Sequence, residues 1–215
     1  MTAVVVKVGT SSLTGPTGAI RPEALARLAS EIGMLHCDGH QVTLVSSGAI
    51  AAGLAALDMD RPEDTSTLQA LSAVGQHRLM QAWDLAFASA GLVAGQVLLA
   101  PLDFGHRQQY LHARSTLGRL LDLGVVPVVN ENDAVADDEI RFGDNDRLAA
   151  LVSHLLRADL LVLLTDAPGL LNADPRMVPE ATLVDEVLES DHAEALAMAA
   201  GPGSDRGSGF PCHTV

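Results

Sequence analysis

Ala3-Val4-Val5-Val6-Lys7-Val8-Gly9-Thr10-Ser11-Ser12, close to the amino end of this 215-residue chain, is the stretch that decides the fold class. Six residues, apolar except for one lysine, give way at once to glycine and small hydroxyl side chains. A short, nearly continuous apolar run of this kind reads as a strand buried on both faces, as in a parallel sheet. Lys7 is the single lysine among 13 basic residues, the other twelve being arginines. An ammonium is a compact point charge suited to a phosphate oxygen, and a strand's C-terminal end followed by Gly9 lets phosphate approach the backbone. The alternative is a lysine that merely snorkels from a strand end.

Working outward, similar Val- and Leu-rich runs recur at residues 41–45, 94–100, 125–129 and 159–164. Segments of helical spacing lie between them at Pro22–Cys37 and at 66–90, 107–123 and 146–158. Alternation of this type predicts repeated βαβ units with helices on both faces of the sheet. The expected fold class is therefore α/β, a three-layer α/β/α sandwich with a mainly parallel central sheet. No internal repeat or low-complexity linker divides the chain, so one domain is expected.

The chain is 48% hydrophobic and its mean hydropathy is positive at +0.24, which suffices for a buried core. Its net charge of −14 argues against electrostatic capture of nucleic acid or of an anionic membrane surface. An anionic substrate must then be held by local groups. No basic region precedes the first apolar run, and no apolar stretch is long enough to span a bilayer, so the cytoplasm is the expected location. Cys37 and Cys212 show no paired spacing and are expected to be reduced.

Three loops after strands carry candidate chemistry. The second strand runs into Ser46, Ser47 and Gly48, where a glycine and the free amides of a helix's first turn can hold a carboxylate or phosphate. Simple N-capping by Ser46 or Ser47 is the alternative. The fourth strand leads to Asn130, Glu131, Asn132 and Asp133, and Gly143, Asp144, Asn145 and Asp146 then open a helix. These clusters flank an acidic excursion at residues 137–141 that looks like an arm over a small ligand. Asn side chains can donate to a carboxylate and accept from an ammonium, and Asp133 can neutralise an amino group, so an amino acid suits them. Helix capping and dipole compensation compete for Asp144 and Asp146. The fifth strand ends in Thr165 and Asp166 before a Pro/Gly loop, fit for a nucleotide pocket or for ordinary turn chemistry.

Other features carry less. No G-x-G-x-x-G follows the first strand and no P-loop signature occurs, which weakens a dinucleotide oxidoreductase or a P-loop enzyme. His36, Cys37, Asp38 and His40 straddle a helix end and Gly39 and read as a turn, so no metal site is assigned. His77, His112 and His154 read as surface or half-buried helix residues, and residues 58–64 as a solvated loop.

Taken together, residues 5–12, 46–53, 130–136, 143–146 and 165–176 resemble the amino acid kinase family, in order, from about residue 4 to about residue 187. Within it the chain is similar to the members that use ATP to phosphorylate the side-chain carboxylate of L-glutamate, the first step of proline biosynthesis. The resemblance implies that Lys7 contacts ATP phosphates beside Gly9. It implies that Ser47, Gly48, Asp133 and Asn145 bind glutamate, that Asp146 is the catalytic aspartate organising lysine, and that Thr165 and Asp166 belong to the nucleotide site. ATP with Mg²⁺, L-glutamate and a homo-oligomeric state come with it. The tail departs from the family: where a Gly-Gly-Met-x-Thr-Lys segment is expected, residues 207–215 read Gly-Ser-Gly-Phe-Pro-Cys-His-Thr-Val. The expectation is a partial kinase domain over residues 1–200 with a Gly-rich, divergent tail at 201–215, truncated or frameshifted and weakly active or inactive. Two further readings stay open: a relative acting on acetylglutamate or carbamate, and a non-catalytic glutamate-binding or assembly remnant.

Overall fold

A computed structural model describes residues 1–135, 145–165, 169–173, 177–178 and 180–187. The chain divides into two compact units, Met1–Leu164 and Thr165–Val215.

The first unit is built on five strands, β1 (Ala3–Val8), β2 (Gln41–Ser46), β3 (Val93–Leu99), β4 (Val125–Glu131) and β5 (Leu160–Leu164). They lie in the order β3-β4-β2-β1-β5, and every neighbouring pair is parallel. All five expected strands are present. The largest difference is at β4, which continues two residues past Val129 and so carries Asn130 and Glu131 on the strand itself.

The helices are α1 (Thr10–Leu13), α2 (Pro22–Cys37), α3 (Ala49–Leu57), α4 (Thr65–Ser89), α5 (Pro101–Gly105), α6 (Arg107–Asp122) and α7 (Asn145–Leu156). Pro22 sits in the first turn of α2, where its missing N–H costs nothing. The helix stops at Cys37 because Gly39 adopts φ +84°, which makes residues 36–40 the expected turn. Asp64 caps α4 by accepting from the Thr67 backbone N–H at 2.8 Å. Residues 58–64 are otherwise solvated, and His77, His112 and His154 are exposed on their helices, as expected.

The two-residue period of β1 sorts the sheet into two apolar layers. Val4, Val6 and Val8 pack with Leu25, Ile32, Leu79, Trp83 and Phe87 from α2 and α4. Val5 packs on the other face with Leu117 of α6 and Leu148, Val152 and Leu155 of α7. Each such side chain contributes roughly 1.5–3 kcal/mol by leaving water. Trp83 is wholly buried, stacks on Phe87 and donates from Nε1 to Ser46 Oγ at 2.9 Å. Alternation also assigns Lys7 to the face that α7 covers, the first step in building the site.

Helices α3 and α4 touch backbone to backbone through two glycines. A Cβ added at Gly53 would lie 2.0 Å from the Leu71 carbonyl oxygen, and one at Gly75 would lie 1.7 Å from that of Ala49. In the second unit, residues 169–187 include an antiparallel bridge between Leu171 and Leu183, tied by Asn172 N–H to Thr182 O and Val184 N–H to Leu170 O. Among the described residues no helix is long and apolar enough to cross a membrane.

Candidate active site

Parallel strands with helical returns bring every strand's C-terminal end and every following helix's N-terminus to one edge of the sheet. Register makes the alignment explicit: Val8 of β1 is level with Ser46 of β2, and Val45 is level with Val129, one residue before Asn130. Lys7 reaches this edge from β1, and Asp146 meets it from the first turn of α7. Their Nζ and Oδ1 atoms are 2.5 Å apart, with the side chains 12% and 22% exposed. A lysine at a helix N-terminus faces the positive end of the dipole; Asp146 offsets this and fixes where the ammonium stands. At Gly9, the next bend of the chain, an added Cβ would fall 3.7 Å from Lys7 Nζ. The Gly9 N–H is taken by the Leu164 carbonyl at 3.3 Å, but without a side chain there a phosphate oxygen has room to reach the Lys7 ammonium.

Beside this pair lies a buried polar network. Asn145 Nδ2, adjacent in sequence to Asp146, donates to Ser47 Oγ at 2.7 Å and to Asn130 Oδ1 at 3.0 Å. Asn130 Oδ1 also accepts from the Glu131 backbone N–H at 2.9 Å, and Asn130 Nδ2 donates to Gln76 Oε1 at 2.7 Å. One turn earlier on α4, Ser72 Oγ donates to Asp133 Oδ2 at 2.8 Å. Burial pushes the Asp133 carboxyl above its ordinary range, and the Ser72 bond counters only part of that. Within this network three buried atoms have no partner among the described residues: Asp133 Oδ1, Asn145 Oδ1 and Gln76 Nε2. Buried polar groups are ordinarily paired, so such a cluster marks a place for a ligand.

The expectations for Ser46 and Ser47 are corrected in one respect. Neither caps α3: the cap position is Gly48, at φ +108°, a left-handed conformation that glycine adopts without strain, and no side chain caps there. Ser47 is instead tied to Asn145. Residues 10–13 form the helical turn α1, held by Arg21 Nη2 donating to the Ser11 and Ser12 carbonyls. Asp133 opens a 3₁₀ turn over Asp133–Val135.

Lys7, Gly9, Ser47, Gly48, Asn130, Asn145 and Asp146 thus share one sheet edge, and Asp133 joins them through α4. Thr165 directly follows β5. Asp166, Gly143, Asp144, the arm at 137–141 and the tail at 201–215 lie outside the described residues. The sequence reading missed Ser72 and Gln76. Their signal was available: polar residues at an i, i+4 spacing among Leu68, Leu71, Gly75 and Leu79, all of them buried. Among the described residues no three of His, Cys, Asp and Glu come together as a ready metal site.

The amino acid kinase family matches this chain over residues 2–208. Glutamate 5-kinase of Pseudomonas aeruginosa is 49% identical over 206 residues, covering 95% of this chain and 55% of that protein. Glutamate 5-kinase of Burkholderia mallei is 50% identical over 207 residues, covering 96% and 55% respectively. The chain therefore spans about half the length of the curated relatives it matches. Among solved structures, aspartate kinase from Synechocystis is similar in fold, with a TM-score of 0.60 at 22% identity over 93% of this chain and 34% of that one. With the family model matching nearly its whole length, the chain belongs to the amino acid kinase family.

Proposed function

We propose that this protein transfers the γ-phosphoryl group of ATP to the side-chain carboxylate of L-glutamate, forming glutamyl 5-phosphate and ADP at the entry to proline biosynthesis. The observation that carries this reading is the adjacency of a cation, Lys7, to a buried polar network with donors and acceptors left over for an amino acid. In the reaction a glutamate side-chain oxygen bonds to the γ-phosphorus as the bond to the ADP oxygen breaks. The carboxylate is already ionised at neutral pH, so no general base is needed. Catalysis then consists of alignment and neutralisation of negative charge.

Ser47, Gly48, Asn145 and Asp133 hold the amino acid, Asp133 facing its ammonium. Lys7 meets the phosphates where Gly9 leaves the backbone open to them, Asp146 keeps the ammonium of Lys7 in place, and Thr165 and Asp166 belong to the nucleotide side. The residues fit ATP at the open backbone of Gly9 beside Lys7. The described carboxylates fit Mg²⁺ only as an ion that arrives on the nucleotide with its waters, the usual manner for this metal; when bound it spreads phosphate charge. A cytoplasmic location and a homo-oligomeric state go with this reading.

The test is trapping of the acyl phosphate formed from ATP and Mg²⁺ by hydroxylamine, with L-glutamate, N-acetylglutamate or L-aspartate (each giving its own hydroxamate) or carbamate (giving hydroxyurea) as acceptor. Turnover confined to L-glutamate, even at the weak rate expected from the sequence, and lost in Lys7→Ala, supports the assignment. A preference for another acceptor, or full turnover in Lys7→Ala, would overturn the assignment.

A further inference from the structure

The direction of the hydrogen bonds that run through Asn130 in the buried network is fixed by one backbone group. The Glu131 N–H can only donate, so the Asn130 atom that receives it is the carbonyl oxygen Oδ1. Asn130 Nδ2 must then be the donor toward Gln76, and the Gln76 atom that accepts is Oε1. That leaves the Gln76 amide nitrogen buried and without a partner among the described residues, on a residue only 7% exposed. The same logic acts at Asn145: its two amide hydrogens are committed to Ser47 and Asn130, and Oδ1 is left as an acceptor. The network therefore presents one amide donor from α4 and acceptors from Asn145 and Asp133. A donor beside two acceptors is the complement of a carboxylate beside an ammonium.

Dimensions agree with a substrate laid across the strand ends. Asn130 and Lys7 are on β4 and β1, separated by β2, so about two strand spacings, roughly 10 Å, lie between them. An extended glutamate separates its two carboxyl carbons by about 5 Å from ordinary bond lengths. With its reacting carboxylate toward Lys7, its other end falls near Asn130 and Gln76.

We infer that Gln76 is a substrate-binding residue whose side-chain amide donates to the α-carboxylate of the amino acid and selects acceptors in which that carboxylate is free and charged. The inference rests on the glutamate-site reading above and adds a residue and a selection rule to it. The competing role for Gln76 is purely architectural, orienting Asn130.

Isoglutamine, glutamate with its α-carboxylate replaced by a carboxamide, separates the two roles. Calorimetric binding of L-glutamate and of isoglutamine, without ATP, is compared for the wild type, Gln76→Met and Gln76→Glu, each first checked for cooperative thermal unfolding. The wild type should prefer glutamate. Gln76→Met should lower that preference by about 10- to 100-fold, the worth of a buried hydrogen bond to a charged group, with isoglutamine little affected. Gln76→Glu keeps an acceptor for Asn130 but sets oxygen against oxygen at the carboxylate, so it should bind glutamate worse than Gln76→Met does and favour isoglutamine.

An unchanged preference in both variants, or equal losses for both ligands, would overturn the inference. Hydroxamate formation by the wild type alongside that result leaves the kinase reading standing alone. A Gln76-dependent preference without phosphoryl transfer supports the inference and defeats the kinase reading. A wild type that binds neither ligand defeats both.

Discussion

Replacing Gly75 by alanine should destabilise the protein although it sits in the middle of a long helix, where alanine is ordinarily the better residue. Helix propensity alone favours alanine by about 0.8–1 kcal/mol. Against this, the new Cβ would lie 1.7 Å from the Ala49 carbonyl oxygen, 2.4 Å from the Gly53 nitrogen and 2.8 Å from the Ala49 carbonyl carbon. All three are backbone atoms, so no rotamer change relieves the overlap and α3 must retreat by more than about 1 Å. Overpacking costs about 1–3 kcal/mol, and a backbone obstacle argues for the upper end, leaving a net loss of about 2 kcal/mol. For a chain of this size each kcal/mol moves Tm by about 2–4 °C, so Tm should fall by roughly 4–8 °C. Because Ala49 directly follows Ser47 and Gly48, glutamate affinity should fall as well. Gly118, in α6, is the control: nothing lies within 4 Å of its added Cβ, and Gly118→Ala should raise Tm by a few degrees. Thermal unfolding by circular dichroism measures both. A Gly75→Ala protein as stable as Gly118→Ala would refute the backbone contact between α3 and α4.

Asp133→Asn should trade function for stability. Burial raises the folded-state pKa of Asp133, so its contribution to stability is full below the unfolded value and lost as pH rises through the folded one. At neutral pH the ionised group is a cost, and its neutral isostere should raise Tm by about 2–4 °C for a gain of about 1 kcal/mol, while glutamate affinity drops at least tenfold. In the wild type, glutamate affinity should decline as pH falls into the raised range and Asp133 protonates; calorimetry at stepped pH reads this, and Asp133→Asn should show a flat profile. Lys7→Ala should lower kcat by about 10²–10³ with little change in the glutamate KM, since it removes a charge-stabilising donor. Arg21→Ala frees the Ser11 and Ser12 carbonyls it holds at 2.9 and 2.7 Å, and should raise the KM for ATP while leaving that for glutamate unchanged in steady-state kinetics.

The inner strands β1, β2 and β4 were readable because they are buried on both faces, and the edge strands β3 and β5 because they carry the same Val- and Leu-rich runs. Ala3–Val8 carries its own apolar run, and Pro22 and Gly39 mark both ends of α2. Lys7 and Ser47 were legible as candidates because each sits at a strand end, and Asn145 because it opens a helix. What the sequence concealed depends on contacts between distant segments. The turn α1 is secured by Arg21 from outside it, and Ser47 gave up the capping role its position suggests because Asn145, 98 residues away, claims its hydroxyl. Gln76 and Ser72 were hidden in another way. On α4 they occupy core-facing positions, where polar residues look like interruptions until Asn130 and Asp133 arrive as partners.

In the proposed reaction a side-chain carboxylate oxygen of glutamate attacks the γ-phosphorus of ATP. Incubating the protein with ATP, Mg²⁺ and L-glutamate labelled with ¹⁸O in both side-chain carboxylate oxygens, and trapping the product with hydroxylamine, tests it directly. Attack of hydroxylamine on the acyl carbon expels phosphate together with the bridging oxygen that came from glutamate. Phosphorus NMR should therefore find one ¹⁸O in each released phosphate, in step with hydroxamate formation. Phosphate released without label would mean that water, not glutamate, receives the phosphoryl group, and would contradict the account.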